Sequence, residues 1–431
     1  MTAVLGVDLG TSQVKVLCRD LNGAVLGQGA VTYPINAPRD GWAESDPELW
    51  WRAVQSAIAA AAPAEVAAIA LTGQMHGVVL CSKRTVVSRP AILWLDRRAG
   101  AEAECYRMLS PSRLAALGNM PWLGAAGPML LWLREHEPSV YRAARWQLQP
   151  KDWLRFRMTG SADTDPSDAS GTLLYDLPRD DWAWDVIEAL GLRPDLFAPV
   201  HGSATVSGPL LPEIAAELGL PAGIPVVTGC SDIAASLLAA RLPGPGWALL
   251  TLGTGGQWIM PLPVLGPVPG PDPTGNTTLV RTTDGLCRLG GSQNVGVALD
   301  WVRGVLGVTW DELYATASRP ARDGLEFVPW LVSERGNEGG GGWTGMRLAH
   351  TREDLMRAAL AGVAGLLRDR LADLRAVGCE PERVLIGGGG ARVARWRDLL
   401  GEVFGLPLRP AATPWLTAYG ATMLAEGAVP P

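Results

Sequence analysis

The chain has 431 residues, a formal net charge of −6 and a hydrophobic fraction of 48%. This length exceeds what one hydrophobic core usually supports, so we expect two domains. The negative charge gives no electrostatic reason to bind nucleic acid or an anionic membrane, and the most apolar stretch, residues 56–71, is interrupted by Pro63 and Glu65 and does not suit a membrane span. Six cysteines without disulfide or metal-ligand spacing predict reduced thiols and a cytoplasmic location.

The first strand runs directly into a turn of small residues. The turn is Asp8-Leu9-Gly10-Thr11-Ser12, and a second apolar strand follows it, which predicts a β-hairpin. Such a turn lets backbone N–H groups and the hydroxyls of Thr11 and Ser12 approach phosphates, while Asp8 can hold a hydrated Mg²⁺. Lys15, one of only three lysines, lies on the returning strand and can reach a phosphate. The alternative is an ordinary hairpin whose aspartate bonds its own turn.

Strand-like and helix-like runs alternate along both halves of the chain, which is typical of α/β layers. The predicted elements are a helix that opens at Asp46-Pro47-Glu48, a strand over 66–71, a helix over 233–240, a helix over 352–377, a strand over 384–386 and a helix over 393–404. Two segments rich in proline or glycine, 261–273 and 339–342, are predicted surface loops.

Polar residues follow the ends of several predicted strands, where ligands of α/β proteins usually bind. Gln74-Met75-His76-Gly77 follows strand 66–71, although a lone histidine is more often a structural residue. Trp94-Leu95-Asp96-Arg97-Arg98 ends another apolar run and either lines the same pocket or forms a surface salt-bridge cluster. Asp232 ends the strand that begins at Pro225, where it is predicted to cap the next helix, to act as a general base, or both.

The hairpin signature recurs in the second half of the chain. Two apolar strands are again joined by a turn of small residues, Leu252-Gly253-Thr254-Gly255-Gly256. Just before this hairpin, prolines and glycines that interrupt helices and strands occur in Leu242-Pro243-Gly244-Pro245-Gly246. We therefore predict two related domains, residues 1–242 and 243–431, with a cleft between two phosphate-binding hairpins. Such a repeat is far too long for a solenoid.

A run of glycines, Gly387-Gly388-Gly389-Gly390-Ala391, lies between strand 384–386 and the last predicted long helix. Glycines at this point let the backbone approach a nucleotide phosphate at the start of the helix, and a plain tight turn is the alternative. The dinucleotide fingerprint fails because Arg392 stands where its third glycine belongs. None of the three lysines precedes Ser or Thr, which excludes a P-loop, and no protein-kinase catalytic loop is present.

Together these segments resemble the FGGY carbohydrate kinases, and within them the xylulokinases, across nearly the whole chain. The resemblance rests on motifs in family order: Asp8-Leu9-Gly10-Thr11-Ser12, Gln74-Met75-His76-Gly77, Gly118-Asn119-Met120, Pro150-Lys151-Asp152-Trp153-Leu154, Ser167-Asp168-Ala169-Ser170-Gly171-Thr172, Asp232, Leu252-Gly253-Thr254, Leu299-Asp300-Trp301, Ser333-Glu334-Arg335 and Gly388-Gly389-Gly390-Ala391. Each motif alone is weak, whereas the ordered set is specific.

The resemblance implies two ribonuclease-H-like domains of the actin-like ATPase fold, with ATP and a sugar in the central cleft. It implies that Asp232 is the catalytic base, that Asp8 is linked to Mg²⁺, and that Met75 and His76 contact the sugar. The positions that match nucleotide contacts are Thr11, Ser12, Lys15, Thr254, Gly389 and Gly390. The implied reaction is ATP-dependent phosphorylation of a pentulose such as D-xylulose, with a homodimer as one possible assembly.

Some positions depart from the xylulokinase pattern. Ile233 stands where these enzymes usually have Asn after the catalytic Asp, and Leu95-Asp96-Arg97-Arg98 replaces Asn-Asp-Gly-Arg. The loop after Arg335 lacks the usual Thr-Pro, and the chain ends soon after Gly420-Ala421-Thr422. A lost amide beside the base removes a sugar hydrogen bond. The alternatives are therefore a kinase of another ketose or polyol, a binding protein that has lost turnover, and an actin-like or chaperone-like ATPase that hydrolyses ATP without sugar.

Overall fold

A computed structural model of the chain describes residues 2–61, 65–82, 89–263, 267–334, 339–413 and 415–429. Four features of the sequence prediction therefore lie wholly or partly outside the described residues: Pro63, Lys83 (one of the three lysines), Arg335 and the middle of the proline-rich loop 261–273. Within the described part of the chain, no helix is long and apolar enough to cross a membrane.

The strands and helices alternate in the manner expected of an α/β protein. The strands are β1 (Ala3–Leu9), β2 (Gln13–Asp20), β3 (Val25–Thr32), β4 (Glu44–Ser45), β5 (Val66–Gly73), β6 (Val79–Cys81), β7 (Ala91–Ile92), β8 (Trp146–Leu148), β9 (Tyr175–Asp176), β10 (Asp181–Trp182), β11 (Val206–Pro209), β12 (Pro225–Ser231), β13 (Trp247–Leu252), β14 (Gly256–Pro261), β15 (Thr277–Arg281), β16 (Leu286–Ser292), β17 (Glu326–Val328), β18 (Gly342–Thr344), β19 (Arg383–Gly387) and β20 (Leu408–Pro410).

The α-helices are α1 (Pro47–Ala61), α2 (Gly100–Glu104), α3 (Pro111–Leu117), α4 (Ala126–His136), α5 (Pro138–Ala143), α6 (Pro150–Thr159), α7 (Pro166–Ala169), α8 (Trp184–Ala189), α9 (Pro212–Leu218), α10 (Asp232–Ala240), α11 (Gly296–Leu306), α12 (Trp310–Ala315), α13 (Arg352–Ala376), α14 (Ala394–Phe404) and α15 (Leu416–Glu426). Short 3₁₀ turns include Ser170–Thr172 and Gly389–Arg392. The long predicted helices and strands are confirmed to within two residues, and Trp50, Val54 and Ile58 lie on the buried face of α1.

Two six-stranded sheets form the centres of the two halves. The first sheet has the order β11-β12-β5-β1-β2-β3, and the second has the order β20-β19-β13-β14-β16-β15. From β12 in one sheet and from β20 in the other, the strands pair parallel, parallel, antiparallel and antiparallel. The repeated hairpin is therefore part of a repeated sheet, and the prediction of two ribonuclease-H-like units is confirmed.

Helix α15 comes from the end of the chain but packs on the first sheet, against β1 and β5, and on α10. The contact is made of small residues, so the backbones approach each other closely. A Cβ atom on Gly6 would lie 2.1 Å from the carbonyl oxygen of Ala418, and one on Gly420 would lie 2.0 Å from that of Ala235. Buried Arg19 also joins the first sheet to α15, because its Nε donates to Thr422 Oγ1 at 2.6 Å.

The second sheet also docks on the first half of the chain through its edge strand β15. The side chain of Asn119 mimics a strand partner, since its Nδ2 donates to the carbonyl of Leu279 at 2.7 Å and its Oδ1 accepts from the N–H of Leu279 at 2.6 Å. The N–H of Arg281 donates to Ser170 Oγ at 2.9 Å. Together with α15, this contact holds the two halves together on either side of a cleft.

The packing of α15 generates a prediction about Gly420. We expect Gly420→Ala to reduce the free energy of unfolding by about 1–3 kcal/mol, because the added methyl meets the backbone of α10 and cannot be relieved by a rotamer change. Gly365→Ala in α13 is the control, because a Cβ there meets nothing within 4 Å and alanine favours the helix. Chemical denaturation measures both. Equal stabilities of the two variants would contradict the proposed packing constraint.

Candidate active site

The two predicted hairpins end the central strands of both sheets. In the first, the N–H of Gly10 donates to the carbonyl of Gln13 at 3.0 Å, and in the second the N–H of Gly253 donates to that of Gly255 at 2.9 Å. Ser12 and Thr254 are exposed at the tips and Thr11 is half-buried. Each turn therefore presents a hydroxyl and backbone amides at the corresponding edge of its sheet, as a phosphate-binding hairpin requires.

The first hairpin is held by aromatic and amide side chains. The Trp94 indole Nε1 donates to Thr11 Oγ1 at 3.0 Å, and the hydroxyl of Tyr33 donates to the carbonyl of Gly10. The Gln74 amide donates to the same carbonyl at 3.4 Å. Because the Thr11 oxygen accepts from Trp94, its own proton is available for a ligand. The sequence prediction placed Trp94 and Gln74 near the pocket but did not identify these contacts.

Asp8 lies at the end of β1, directly across the antiparallel pair from Lys15, and only 5% of its surface is exposed. Burial raises the pKa of Asp8, whereas the charge of Lys15 and a hydrogen bond from Thr417 lower it. That hydrogen bond runs from Thr417 Oγ1 to Asp8 Oδ2 at 2.5 Å. Thr417 is the second residue of α15, so the end of the chain contributes directly to this site, which sequence patterns alone did not indicate.

The local prediction that Asp232 caps its helix is wrong. Ser231 is the N-cap of α10, since its hydroxyl accepts from the N–H of Ala234, and Asp232 is the first helical residue. The Asp232 carboxylate accepts a hydrogen bond from the N–H of Ile233 at 2.8 Å and is half-buried. Because Ser231 does the capping, the carboxylate of Asp232 remains available for chemistry.

The electrostatic environment of Asp232 suits a base. Burial and the neighbouring negative charge of Asp8 raise the pKa of Asp232 to about 7, while backbone hydrogen bonds and Lys15 oppose the shift. The charge of Lys15 acts on both aspartates, so these three side chains belong to one site. A carboxylate with a pKa near 7 can accept a proton and release it again at neutral pH.

A β-bulge directs the end of β12 toward this site. The register of β12 against β5 shifts between Val227 and Cys230, and Gly229 has φ = +80°. A Cβ at Gly229 would lie 2.0 Å from the carbonyl oxygen of Leu71, so only glycine fits. Bulges re-aim side chains near active sites, and here the bulge precedes Asp232 by three residues.

His76 lies in a strained turn after β5, with φ = +70°, a conformation that costs energy for a residue other than glycine. Its Nδ1 lies 2.7 Å from the carbonyl oxygen of Gly171. Because a carbonyl can only accept, Nδ1 carries the proton and Nε2 is a hydrogen-bond acceptor. Burial lowers the pKa of His76 to about 4, so the ring is neutral at pH 7. Its edge-to-face contact with Trp122, at 4.8 Å between centroids, further fixes the ring.

Met75 and Ile233 lie in one hydrophobic cluster between the two sheets. Met75 is 4% exposed and Ile233 is 6% exposed, and both belong to a cluster that includes Leu249 of β13 and Leu416 of α15. The Ile233 side chain is therefore part of the core between the halves. Its replacement of the usual asparagine adds apolar contact here.

The glycine run after β19 approaches the second hairpin. Gly388 has φ = +90°, and a Cβ there would lie 2.3 Å from the carbonyl oxygen of Leu252, so Gly388 is the position that requires glycine. A Cβ on Gly389 would meet nothing within 4 Å, whereas one on Gly390 would lie 3.2 Å from the side chain of Leu252. Gly389 and Gly390 thus form an open backbone surface beside the Thr254 turn.

A cavity of about 290 Å³ lies next to this surface. Its lining residues are Asp311, Tyr314, Ala315, Val393, Ala394 and Arg395. Helix α12, which forms one wall, is opened by a capping box between Thr309 and Glu312. The sequence prediction missed this helix, although Thr-x-x-Glu before an apolar residue is its recognisable signature.

In the segment 94–98, Trp94 contacts Thr11 of the first hairpin, whereas the predicted salt-bridge cluster is internal and not at the surface. The side chains of Asp96 and Arg98 are buried, and Arg98 pairs with Asp96 and with Glu44, each at 2.7 Å. Asp96 also accepts from the N–H of Ala43 at 2.6 Å. These residues form an internal ion cluster that supports Trp94, while exposed Arg97 donates to the carbonyl of Ser333 in the other half.

Two sheets with the same order of parallel and antiparallel pairs, each with a hairpin of small residues at the end of its central strand, define a protein of the actin-like ATPase fold. Family models for the FGGY family of carbohydrate kinases match residues 3–239 (N-terminal domain) and 249–428 (C-terminal domain). The chain belongs to the FGGY family of carbohydrate kinases.

Individual relatives agree with this assignment. The chain is 32% identical to a xylulose kinase of Escherichia coli K12, over 94% of this chain and 85% of that protein, and 31% identical to a xylulose kinase of Bacillus subtilis, over 99% and 88%. The crystal structure of a xylulose kinase from Rhodospirillum rubrum superposes with a TM-score of 0.85 at 30% identity, over 98% of this chain and 89% of that one.

Proposed function

We propose that the protein transfers the γ-phosphoryl group of ATP to a hydroxyl of a pentulose such as D-xylulose, with Asp232 as the base. The observation that carries the proposal is the freed carboxylate of Asp232, beside Asp8 and Lys15 at the cleft. The similarity to xylulose kinases over nearly the full chain supports this substrate class.

In this proposal the Asp232 carboxylate accepts the proton of the sugar hydroxyl while the oxygen of that hydroxyl bonds to the γ-phosphorus. The bond between the γ-phosphorus and the bridging oxygen breaks, and ADP leaves. Thr11, Ser12 and Lys15 contact the phosphates from one side, and Thr254, Gly389 and Gly390 contact them from the other. Phosphoryl transfer depends mainly on such positioning and charge stabilisation. The cavity beside Gly390 is our site for the adenine ring.

Neutral His76 offers its Nε2 as an acceptor for a sugar hydroxyl, because Nδ1 is held by Gly171. Met75, the residue before His76, is buried in the cluster with Ile233. The buried position of Ile233 favours a second candidate, another ketose or a polyol, because the isoleucine side chain lies in the core between the domains and offers no amide to the sugar.

The residues around Asp8 fit a hydrated Mg²⁺. The Thr417 hydroxyl donates to one carboxylate oxygen of Asp8, which leaves the other oxygen of Asp8 to accept from a metal-bound water. The described residues contain no cluster of three or more acidic, His or Cys side chains that could hold a metal, and Mg²⁺ commonly binds through one or two carboxylates, waters and substrate phosphates. Bound there, the ion would neutralise charge on the β- and γ-phosphates.

This arrangement predicts an effect of Thr417→Val. The isosteric change removes the hydrogen bond that orients Asp8, so we expect the Mg²⁺-dependent increase in ADP affinity to fall about 5- to 20-fold, since a hydrogen bond to a charged group contributes about 1.5–3 kcal/mol and much of it is recovered by relaxation. Calorimetric titration of ADP with and without Mg²⁺ measures it. Thr417→Ser should restore the wild-type response.

Thr422→Val is the matched control on the same helix, because Thr422 contacts Arg19 and Tyr419 and not Asp8. It should lower stability without changing the response to Mg²⁺. An unchanged response in Thr417→Val would contradict the role given to this hydrogen bond.

The proposed function itself is tested by ADP release in the presence of a panel of ketoses and polyols. We expect a pentulose to stimulate release strongly, and Asp232→Asn to abolish that stimulation while ATP binding persists. ATP binding without stimulation by any sugar would favour a binding protein, and hydrolysis that is independent of sugar would favour an ATPase. An active Asp232→Asn variant would overturn the assignment of the base.

The raised pKa of Asp232 predicts a pH profile. The base acts only when it is ionised, so kcat/KM should rise about tenfold per pH unit below pH 7 and level off above it. His76 does not contribute to this rise of kcat/KM with pH, because its pKa is about 4. Initial rates between pH 5 and 9 measure the profile, with ATP affinity determined at each pH as the control. A flat profile from pH 5 to pH 8 would be inconsistent with Asp232 as the base.

A further inference from the structure

We propose that Ser167 is a positioning residue for the base Asp232, which it orients by holding the N–H of Ser231. This inference rests on the proposed function and assigns a role to a residue that contacts neither sugar nor nucleotide in that proposal. Ser167 is the second residue of the short helix α7 and is fully buried.

The orientation of the Ser167 hydroxyl is fixed by two hydrogen bonds. It donates its single proton to Asp165 Oδ2 at 2.6 Å and accepts from the N–H of Ser231 at 2.8 Å. Ser231 is the N-cap of α10 and the residue immediately before Asp232. The backbone that carries the base is thus tied to a side chain from a different element.

Asp165 is itself immobilised. Its Oδ2 also accepts from the N–H of Ser167 at 3.0 Å and from Ser203 Oγ at 2.8 Å, and its Oδ1 lies 2.9 Å from Lys151 Nζ. Lys151 is fully buried and pairs as well with Asp152 at 2.6 Å and with an oxygen of Asp168 at 3.0 Å. Burial alone would lower the pKa of Lys151, but the three aspartates keep it above its usual value, so the ammonium is charged.

Such a cluster is costly to bury unless its members are paired, so its geometry has little freedom. It also fixes the strand before Asp232. Arg155, which pairs with Asp152 at 2.9 Å, donates to the carbonyl of Thr228 at 2.6 Å. β12 is therefore held at Thr228 by Arg155, before the bulge at Gly229, and at Ser231 by Ser167, after it.

The segment that carries Ser167 also holds the sugar side of the site. The 3₁₀ turn Ser170–Thr172 follows α7 directly, and its Gly171 carbonyl accepts from His76 Nδ1. The buried segment 167–172 thus contacts both Ser231, the residue before the base, and His76, the proposed sugar-binding residue. It therefore sets the distance between Asp232 and His76. A displacement of about 1 Å at a reacting group can reduce the rate about 100-fold.

The test compares Ser167→Ala with Ser203→Ala. Both variants remove a serine hydroxyl that donates to Asp165 Oδ2, but only Ser167 also accepts from Ser231. We expect kcat to fall about 10- to 100-fold in Ser167→Ala with the KM for ATP and the ADP affinity within about twofold of wild type. Ser203→Ala should keep kcat within about twofold, with a comparable loss of thermal stability.

Ser167→Cys provides a graded variant, because a thiol is similar in shape but a weaker acceptor. Its kcat should lie between those of wild type and Ser167→Ala, and it is compared with Ser203→Cys if Ser167→Ala does not fold. Equal kcat values in the matched Ser167 and Ser203 variants would overturn the positioning role. Activity of Asp232→Asn would instead overturn the proposed function, so the two failures are distinguishable.

Discussion

The close packing of α15 against the first sheet is the constraint on which the site depends. Glycine at positions 6 and 420 lets the helix backbone touch β1 and α10, where any side chain would meet a carbonyl oxygen. This approach places Thr417 within hydrogen-bond distance of Asp8 and puts Leu416 in the cluster with Ile233 and Met75. The last helix of the chain is therefore shared between the halves, and the cleft is assembled from both.

The same constraint ties the two halves to each other along one helix. α15 begins shortly after β20 of the second sheet and is anchored to the first sheet by Arg19 near its far end. Its first turn contacts Asp8 through Thr417 and the cluster between the sheets through Leu416. The orientation of Asp8 therefore depends on how α15 is placed between the two sheets.

Much of the fold follows from local sequence signals, because the hairpins, α1, α13 and the glycine run each have a complete pattern of turn residues or periodicity. The site was only partly predictable. The prediction that Asp232 is the N-cap of α10 was wrong, because serine and aspartate are both favourable N-cap residues. The backbone of the structure shows that Ser231 takes this position. The contacts of Asp8 with Thr417 and of Ser231 with Ser167 join distant segments, and no spacing rule reports such contacts.

The two aspartates of the proposed site differ in the groups that contact their carboxylates. Burial raises the pKa of both carboxylates, and the negative charge of Asp8 raises the pKa of Asp232 further. Asp8 receives a hydroxyl hydrogen bond and faces Lys15 across the strand pair, so its contacts favour the anion that a cation needs. Within the described part of the chain, Asp232 accepts from backbone N–H groups, those of Ile233 and of Asp232 itself, and from no hydroxyl. In the proposed function it is therefore the carboxylate that takes up and releases a proton near pH 7, whereas Asp8, with different partners, is the carboxylate proposed to hold the cation.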